Sequence, residues 1–478
     1  MHLAIRALPV LCAAACADRT LSEVPPRPSG EQRQEIPVSS NRDIDILFVI
    51  DNSKSMDEEQ QSLGRNFPEF VRVLESIGDL PDLHLGVVSS DVGTAPYEVV
   101  GCEGNGDDGL LQLPAACQPL TDGLRYIVSL ADADQPGGRR VNYTTATMAE
   151  QFECMAKLGF TGCGFEQHFE SMRRALDGRN GGFLRDDAFL AVIFIQDEDD
   201  CSASDRAVFA DDDPDLGALG SFRCFEYGVR CDPDDDPRAV GPRQDCVPRD
   251  DSPYIERVQS YVDFLRSVKA DPRRVIVAGI AGAAGPVSVE LDESETPPEL
   301  VTAPVCTVCP GGGSTGCSLD PDDDDAALVS AAPTVRLHAL LDAFPQKSTF
   351  QDICAYDPAE GDVDLSGALV QIAALLKRAL GSPCIEGSLA DGDPSRDGIQ
   401  PVCSVSDFIH IDQPDQEEHL LAACDDGPLD CTADVQDAPC YRFEPNPACG
   451  TETDLAIAID RCGQAPDDTT VVVRCLVD

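Results

Sequence analysis

No run of roughly twenty apolar residues occurs anywhere in the 478-residue sequence, which excludes a transmembrane helix. Basic residues are scarce: 35 Lys and Arg stand against 86 Asp and Glu, a formal net charge of −51. Such a chain repels nucleic-acid phosphates and anionic lipid head groups, so nucleic-acid binding and a polybasic membrane-surface role are excluded. Catalytic signatures are missing as well. The one G-x-S-x-G match, Gly312–Gly316, follows no expected strand and so makes no nucleophile elbow, and there is no H-E-x-x-H motif. Only six histidines occur. Of these, His84 falls in an expected strand and His168 and His338 in expected helices, where surface or core roles are the default. Acid pairs are too abundant to single out a glycosidase pair. The segment GGGSTGCS lacks the Lys of a phosphate loop and follows no strand, which excludes nucleotide binding there.

Cysteine, by contrast, is plentiful. Twenty-two are too many for a reduced cytosolic chain without obvious metal clusters, so disulfides and an oxidising compartment are expected. The first residues, MHLAIRALPVLCAAACADRT, carry Arg6 and a short apolar stretch, Ala7 to Ala15. They read as a signal peptide over 1–15. Ala13-Ala14-Ala15-Cys16 resembles a bacterial lipobox, which makes Cys16 a candidate for lipidation; plain cleavage after Ala15 is the alternative. The expected location is the cell envelope: an outer-membrane lipoprotein, the periplasm or the cell surface.

Setting aside Cys12 and Cys16 leaves twenty cysteines. Cys102 with Cys117 and Cys154 with Cys163 are near-sequence partners, although spacing does not fix connectivity. Thirteen cysteines lie between Cys102 and Cys384 and seven after it. Both counts are odd. If all pair, at least one disulfide joins the two parts, and Cys384 is the simplest partner to make that link.

Residues 16–42 carry Pro, Ser, Gly and charge without apolar periodicity and read as a flexible linker. Strand-like apolar runs then alternate with amphipathic segments from Asp43 to Cys384. DIDILFVID, LHLGVVSSD, AFLAVIFIQDEDD and RRVIVAGIAG read as buried parallel strands, with an edge strand expected at 349–356. Helices are expected over 55–77, 146–157, 165–176, 254–269, 334–344 and 365–380. The fold class expected is α/β, with a doubly wound, mostly parallel sheet. Three loop-rich, Cys-bearing insertions interrupt it, at 92–142, 201–252 and 283–332, the first with one strand-like piece, RYIVSL, at 125–130. Residues 385–478 lack long helices and read as a small disulfide-stapled β domain.

One constellation carries chemistry. Asp51-Asn52-Ser53-Lys54-Ser55 closes the first strand of the body, where open α/β sheets form their ligand crevice. One carboxylate and two hydroxyls on a tight loop are hard oxygen ligands of low charge, suited to Mg²⁺ with coordination positions left open. Thr161 precedes a helix, and Asp197 closes another strand as Asp51 does. The plain reading of the first loop alone is an N-cap before a helix.

This set resembles the metal-ion-dependent adhesion site of the von Willebrand factor type A domain. ILFVIDNSKSM, HLGVVSSD, FTGCGFEQ, QDEDDCS, SFRCFEYGVRC and the Cys-rich tail are similar to large bacterial lipoproteins of that family. The resemblance implies metal ligands at Asp51, Ser53, Ser55, Thr161 and Asp197. It implies Mg²⁺, with Ca²⁺ or Mn²⁺ as other candidates, and a protein partner that offers a carboxylate to the ion. It implies an adhesion or binding protein rather than an enzyme. Lys54 stands where the family commonly has Gly.

Weaker signals receive plain readings. Asp199 and Asp200 read as a solvated acidic turn, with support of the metal ligands as the alternative. Cys306-Thr-Val-Cys309 reads as a structural disulfide. Asp391-Gly-Asp393-Pro-Ser395-Arg-Asp397-Gly398 alternates oxygen side chains as calcium loops do, but reads first as a polar connection. Two other functional readings remain open at the level of sequence. One is a secreted hydrolase with its site in the insertions or tail; the other is a metal-free envelope spacer.

Overall fold

The computed structural model describes residues 30–477 apart from 38–42, 76–79, 212, 233–235, 294–297, 309–328, 358–361, 382, 386, 397, 412, 425–428, 430, 433–434, 437, 447–448, 450–452, 463–464 and 467–468. The signal peptide, Cys16, Cys309 and Cys317 lie outside the described residues.

The first strand is β1 (Gly30–Pro37). The body begins with β2 (Ile44–Ile50), α1 (Asp57–Glu75), β3 (Leu83–Ser89), β4 (Ile127–Ala131) and β5 (Arg139–Val141). It continues through α2 (Met148–Ala156), α3 (His168–Arg174), β6 (Phe189–Ile195), α4 (Phe222–Gly228), β7 (Val229–Asp232) and β8 (Gly241–Pro248). Then come α5 (Val258–Ser267), β9 (Val275–Ala281), β10 (Val287–Asp292), β11 (Glu299–Thr302), β12 (Cys306–Val308) and β13 (Val329–Ala331). The body closes with α6 (Val335–Asp342), β14 (Ser348–Asp352), the short β15 (Tyr356–Asp357) and β16 (Asp362–Val363), and α7 (Ser366–Ala379). The tail holds β17 (Cys403–Ile409), β18 (Glu417–Ala423), β19 (Cys431–Thr432), β20 (Val435–Gln436), β21 (Cys440–Pro445), β22 (Leu455–Asp460) and β23 (Thr469–Val477).

Seven strands form the body's sheet in the order β14-β9-β6-β2-β3-β4-β5. The first five are parallel to one another, whereas β4 and β5 turn back antiparallel at one edge. The sheet is therefore mixed, not parallel throughout. The region 92–142, read above as a loop-rich insertion, supplies that antiparallel edge.

The reason β2 reads as an unbroken apolar run is visible in its two faces. Ile44, Ile46, Phe48 and Ile50 pack with Leu63, Phe67 and Phe70 of α1, Phe152 of α2 and Leu369 of α7. Leu47 and Val49 point the other way, toward Phe169 of α3, Tyr261 of α5 and Leu337 of α6. Helices thus cover both faces, and no face of β2 needs polar residues. The chain passes from β2 through α1 to β3 on one side of β2, and later places β6 on the other side. The order reverses between β2 and β6, which is where open α/β sheets form a crevice at the C-terminal ends of their strands.

The insertions 201–252 and 283–332 fold on each other. Strands β7 and β8 come from the first and β10 and β11 from the second, in one sheet ordered β11-β10-β8-β7.

Two expectations need correction. Residues 30–37 are not free tether: β1 pairs antiparallel with β23 along its whole length, from Gly30 opposite Val477 to Pro37 opposite Thr470. It forms the edge of a six-stranded sheet ordered β1-β23-β17-β18-β21-β22. An edge strand that buries little beyond Ile36 shows no apolar alternation, and its partner lies at the far end of the chain. Nearest-neighbour disulfide pairing also fails. Cys102 bonds Cys163, and Cys117 bonds Cys154. The loop of Cys102 lies against that of Cys163, whereas Cys117 packs beside α2, so space and not sequence distance selects the partners.

Nine disulfides join described residues. Cys306 pairs with Cys354 rather than with its neighbour Cys309. Cys384 pairs with Cys449, which fixes the tail to the end of the body. This number of disulfides places the folded chain in an oxidising compartment. No helix among the described residues is long and apolar enough to cross a membrane.

Candidate metal centre

Strand pairing sets the site. Ile50 lies opposite Ile195 in the parallel register of β2 and β6, and the Asp51 N–H donates to the Ile195 carbonyl at 2.9 Å. Asp51 and Asp197 therefore leave adjacent strand ends together. Both are buried.

The loop after Asp51 folds over its own carboxylate. The Ser53 N–H donates to Asp51 Oδ1 at 2.7 Å, and the Ser53 and Ser55 hydroxyls are 3.2 Å apart. The Ser55 hydroxyl acts on Asp197 as well, favouring its charged form against burial. Asp51, Ser53 and Ser55 are thus linked by direct contacts. The plain capping alternative finds no support at Ser53: its side chain makes no cap hydrogen bond to the helical turn that follows.

Thr161 arrives on a neighbouring loop pinned at both ends. Gln60 of α1, itself buried, donates to the carbonyls of Asp51 at 2.9 Å and Gly159 at 3.0 Å, and accepts from the Gly159 N–H at 3.2 Å. On the other side of Thr161, the Gly162 N–H donates to the Asn52 carbonyl at 2.9 Å. A Cβ on Gly162 would lie 2.2 Å from Asn52 Oδ1, so only glycine lets the two loops meet. Thr161, Ser55 and Lys54 are exposed at the opening.

The electrostatics of this crevice are one-sided. Among the described residues, Asp51 Oδ2 and Asp197 Oδ1 have no hydrogen-bond partner, and neither does either oxygen of Glu59. His168 Nε2 stands 3.4 Å from Asp51 Oδ2, outside hydrogen-bond geometry. Burial, and then the Asp51 charge, push the Asp197 carboxyl up to about 7. Burial and Asp197 push Glu59 up to about 8. Burial, Asp197 and Asp51 do the same to Glu198, also to about 8. Burial raises Glu166 well above the usual carboxylate range, with Glu198 and Asp51 adding to it. The groups acting most strongly on these acids are other acids. A buried carboxylate cluster without a cation costs heavily in a low-dielectric interior, and a divalent ion reverses that balance. The donor set fits a hard ion: two carboxylates with free oxygens, and three hydroxyls from two loops.

Glu59, Gln60, Glu166 and His168 were not legible as site residues in the sequence. Glu59 and Gln60 follow the Asp-x-Ser-x-Ser loop by one helical turn, which is the one signal that could have found them. Asp200 departs from its expected solvated turn. It is buried, accepts from the Phe169 N–H at 2.9 Å and Ser202 Oγ at 2.6 Å, and pairs with Arg336 at 2.9 Å. Asp199 accepts from the Arg336 N–H at 2.9 Å, at the start of α6. These contacts brace the loop that carries Asp197.

Other candidate centres are weaker. Cys306, Asp352 and Cys354, and likewise Cys424, Cys440 and Asp460, cluster closely, but both cysteine pairs are disulfides and offer no thiolate. Asp391 Oδ1 is taken up by the N–H groups of Asp393 and Gln400, and Asp397 lies outside the described residues.

An open α/β sheet with Asp-x-Ser-x-Ser and a second buried Asp on adjacent strand ends resembles the arrangement expected of a von Willebrand factor type A domain. No protein-family model matches the chain, and no curated relative does. Among solved structures it is similar to a von Willebrand factor type A protein from Catenulispora acidiphila, at 11% identity and TM-score 0.27, covering 94% of this chain and 65% of that one. The open conformation of the pilus adhesin SpaC from Lactobacillus rhamnosus GG gives 11% identity and TM-score 0.30, with 93% and 42% covered. The pilus adhesin RrgA from Streptococcus pneumoniae gives 9% and 0.27, with 94% and 59% covered. The chain spans less than two thirds of each of these proteins. Superpositions this loose carry no argument, and the likeness rests on the strand order and site described above.

Proposed function

We propose that this is an exported binding protein of adhesion type, which holds a partner's carboxylate through a divalent ion at Asp51, Ser53, Ser55, Thr161 and Asp197. The observation that carries the reading is the pair of buried, unpartnered oxygens, Asp51 Oδ2 and Asp197 Oδ1, on adjacent strand ends. Mg²⁺ suits this set, and Ca²⁺ or Mn²⁺ could replace it. When bound, the ion offers an open coordination position to an incoming carboxylate. The chain's own residues do the rest. Asp51 and Asp197 supply charge from below. Ser53 and Ser55 add neutral oxygens, so the ion keeps part of its charge for the partner. Gln60 and the Gly162–Asn52 contact hold the Thr161 loop in place. Acylation at Cys16 would tether the protein to a membrane.

The test is capture from envelope extract with wild type and Asp51→Ala, with and without chelator. Wild type should retain a defined partner only with divalent ion, and Asp51→Ala should not retain it. Full retention by wild type in chelator would overturn the proposal.

A further inference from the structure

Two bulky apolar side chains stand in water on the two segments that meet at the Thr161 loop. Phe160 is 51% exposed and Val100 is 96% exposed. Single exposed apolar residues are ordinary on protein surfaces. These two differ because the chain holds both in place. Phe160 and Thr161 form the tip of the loop whose ends are tied to Gln60 and Asn52, so Phe160 is not free to turn inward without breaking those ties. The loop of Val100 is fastened to the same place: Cys102 is bonded to Cys163, and a Cβ on Gly101 would stand 4.0 Å from the Gly162 carbonyl. The disulfide is fully buried in a cluster with Phe165 and Phe209, beneath the rim. A rigid support that keeps aromatic and aliphatic groups exposed is the anatomy of an interface anchor.

We infer that Phe160 and Val100 form an apolar rim that selects the partner: a protein segment presenting its carboxylate beside a bulky apolar side chain, within an otherwise basic surface. This rests on the metal-dependent reading above. Charge complementarity supplies the second half of the statement. Lys54 and the ion would meet the carboxylate, while the rest of the chain, at −51, attracts a basic frame and repels an acidic one.

The experiment uses the purified protein and two synthetic nonapeptides with lysines near their ends. One carries aspartate between two leucines, the other aspartate between two serines. Affinities are measured by fluorescence anisotropy in Mg²⁺ and in EDTA, and Mn²⁺ binding is measured separately. The leucine peptide should bind at least about thirtyfold tighter than the serine peptide in Mg²⁺, and EDTA should abolish binding. Burial of the exposed parts of the two side chains sets the scale: Phe160→Ser should weaken the leucine peptide about fivefold, and Phe160→Ser with Val100→Ser about thirtyfold. Neither variant should change Mn²⁺ affinity or serine-peptide binding. Equal affinity for the two peptides, no binding of either, or a preference untouched by both variants would overturn the inference while the Mn²⁺ result still judged the metal site. Absence of Mn²⁺ binding would remove the underlying reading itself. The wild-type comparison decides even if a variant fails to fold.

Discussion

Replacing Glu59 by Gln probes the crevice's electric field without touching a candidate ligand. Glu59 sits in the first turn of α1 with both oxygens buried and unpartnered. Burial and the charge of Asp197 raise its carboxyl to about 8. A raised acid binds its proton more readily in the folded than in the unfolded chain. Metal-free stability therefore falls as pH rises from the ordinary carboxylate range toward 8, and is level beyond it. Between pH 5 and pH 8 the loss attributable to Glu59 is about 3–4 kcal/mol. Glu59→Gln keeps the shape and removes the titration. The buried amide carries its own cost, about 1–3 kcal/mol for unmet donors, but that cost does not change with pH. The difference between the two pH values isolates the charge. The sequence has no tryptophan, so urea unfolding is best followed by far-UV circular dichroism, in EDTA. The variant should gain about 3–4 kcal/mol on wild type between pH 5 and pH 8. A gain under about 0.5 kcal/mol would show that Glu59 is solvated and that the crevice is not the low-dielectric acid cluster described here.

Other perturbations follow from the same contacts. Gly162→Ala should displace the Thr161 loop from Asn52 and weaken Mn²⁺ binding at least about fivefold, with near-native thermal stability; unchanged affinity would remove Thr161 from the site. Replacing Cys117 and Cys154 together by Ala opens a loop of 37 residues and should cost about 4 kcal/mol in chemical denaturation; a loss below about 1 kcal/mol would refute its structural weight. Arg336→Met leaves Asp200 buried and unpaired, and should destabilise the body by about 3–5 kcal/mol in the same measurement, a value near zero counting against the ion pair as a brace. Deleting residues 30–37 uncovers β23, and light scattering should show self-association at concentrations where the intact protein is monodisperse; continued monodispersity would contradict the role of β1 as a cover.

Sequence and structure agree where local pattern decides. The runs at β2, β3, β6 and β9 are apolar on both faces because helices cover both, and such runs announce themselves. Asp51, Ser53 and Ser55 were legible because three oxygen groups share one short loop at a strand end. What escaped depends on pairings across the chain. β1 owes its order to β23, Cys102 owes its partner to the folding of the Thr161 loop, and the two halves of the β7–β11 sheet come from separate insertions. Glu59, Glu166 and His168 look like ordinary helix or loop residues until the strand ends bring Asp51 and Asp197 beside them. Asp200 read as solvent-facing because nothing in its own segment reveals Arg336.

Mn²⁺ binding, read from the loss of the free-ion electron paramagnetic resonance signal, addresses the metal centre most directly. The titration is run on purified protein in about 0.15 M salt, where diffuse attraction by surface acids is screened. The expected result is one saturable site per chain that Mg²⁺ displaces, and that Asp51→Asn and Asp197→Asn each abolish. A free-ion signal undiminished by wild-type protein, or binding that survives both substitutions, would contradict the account.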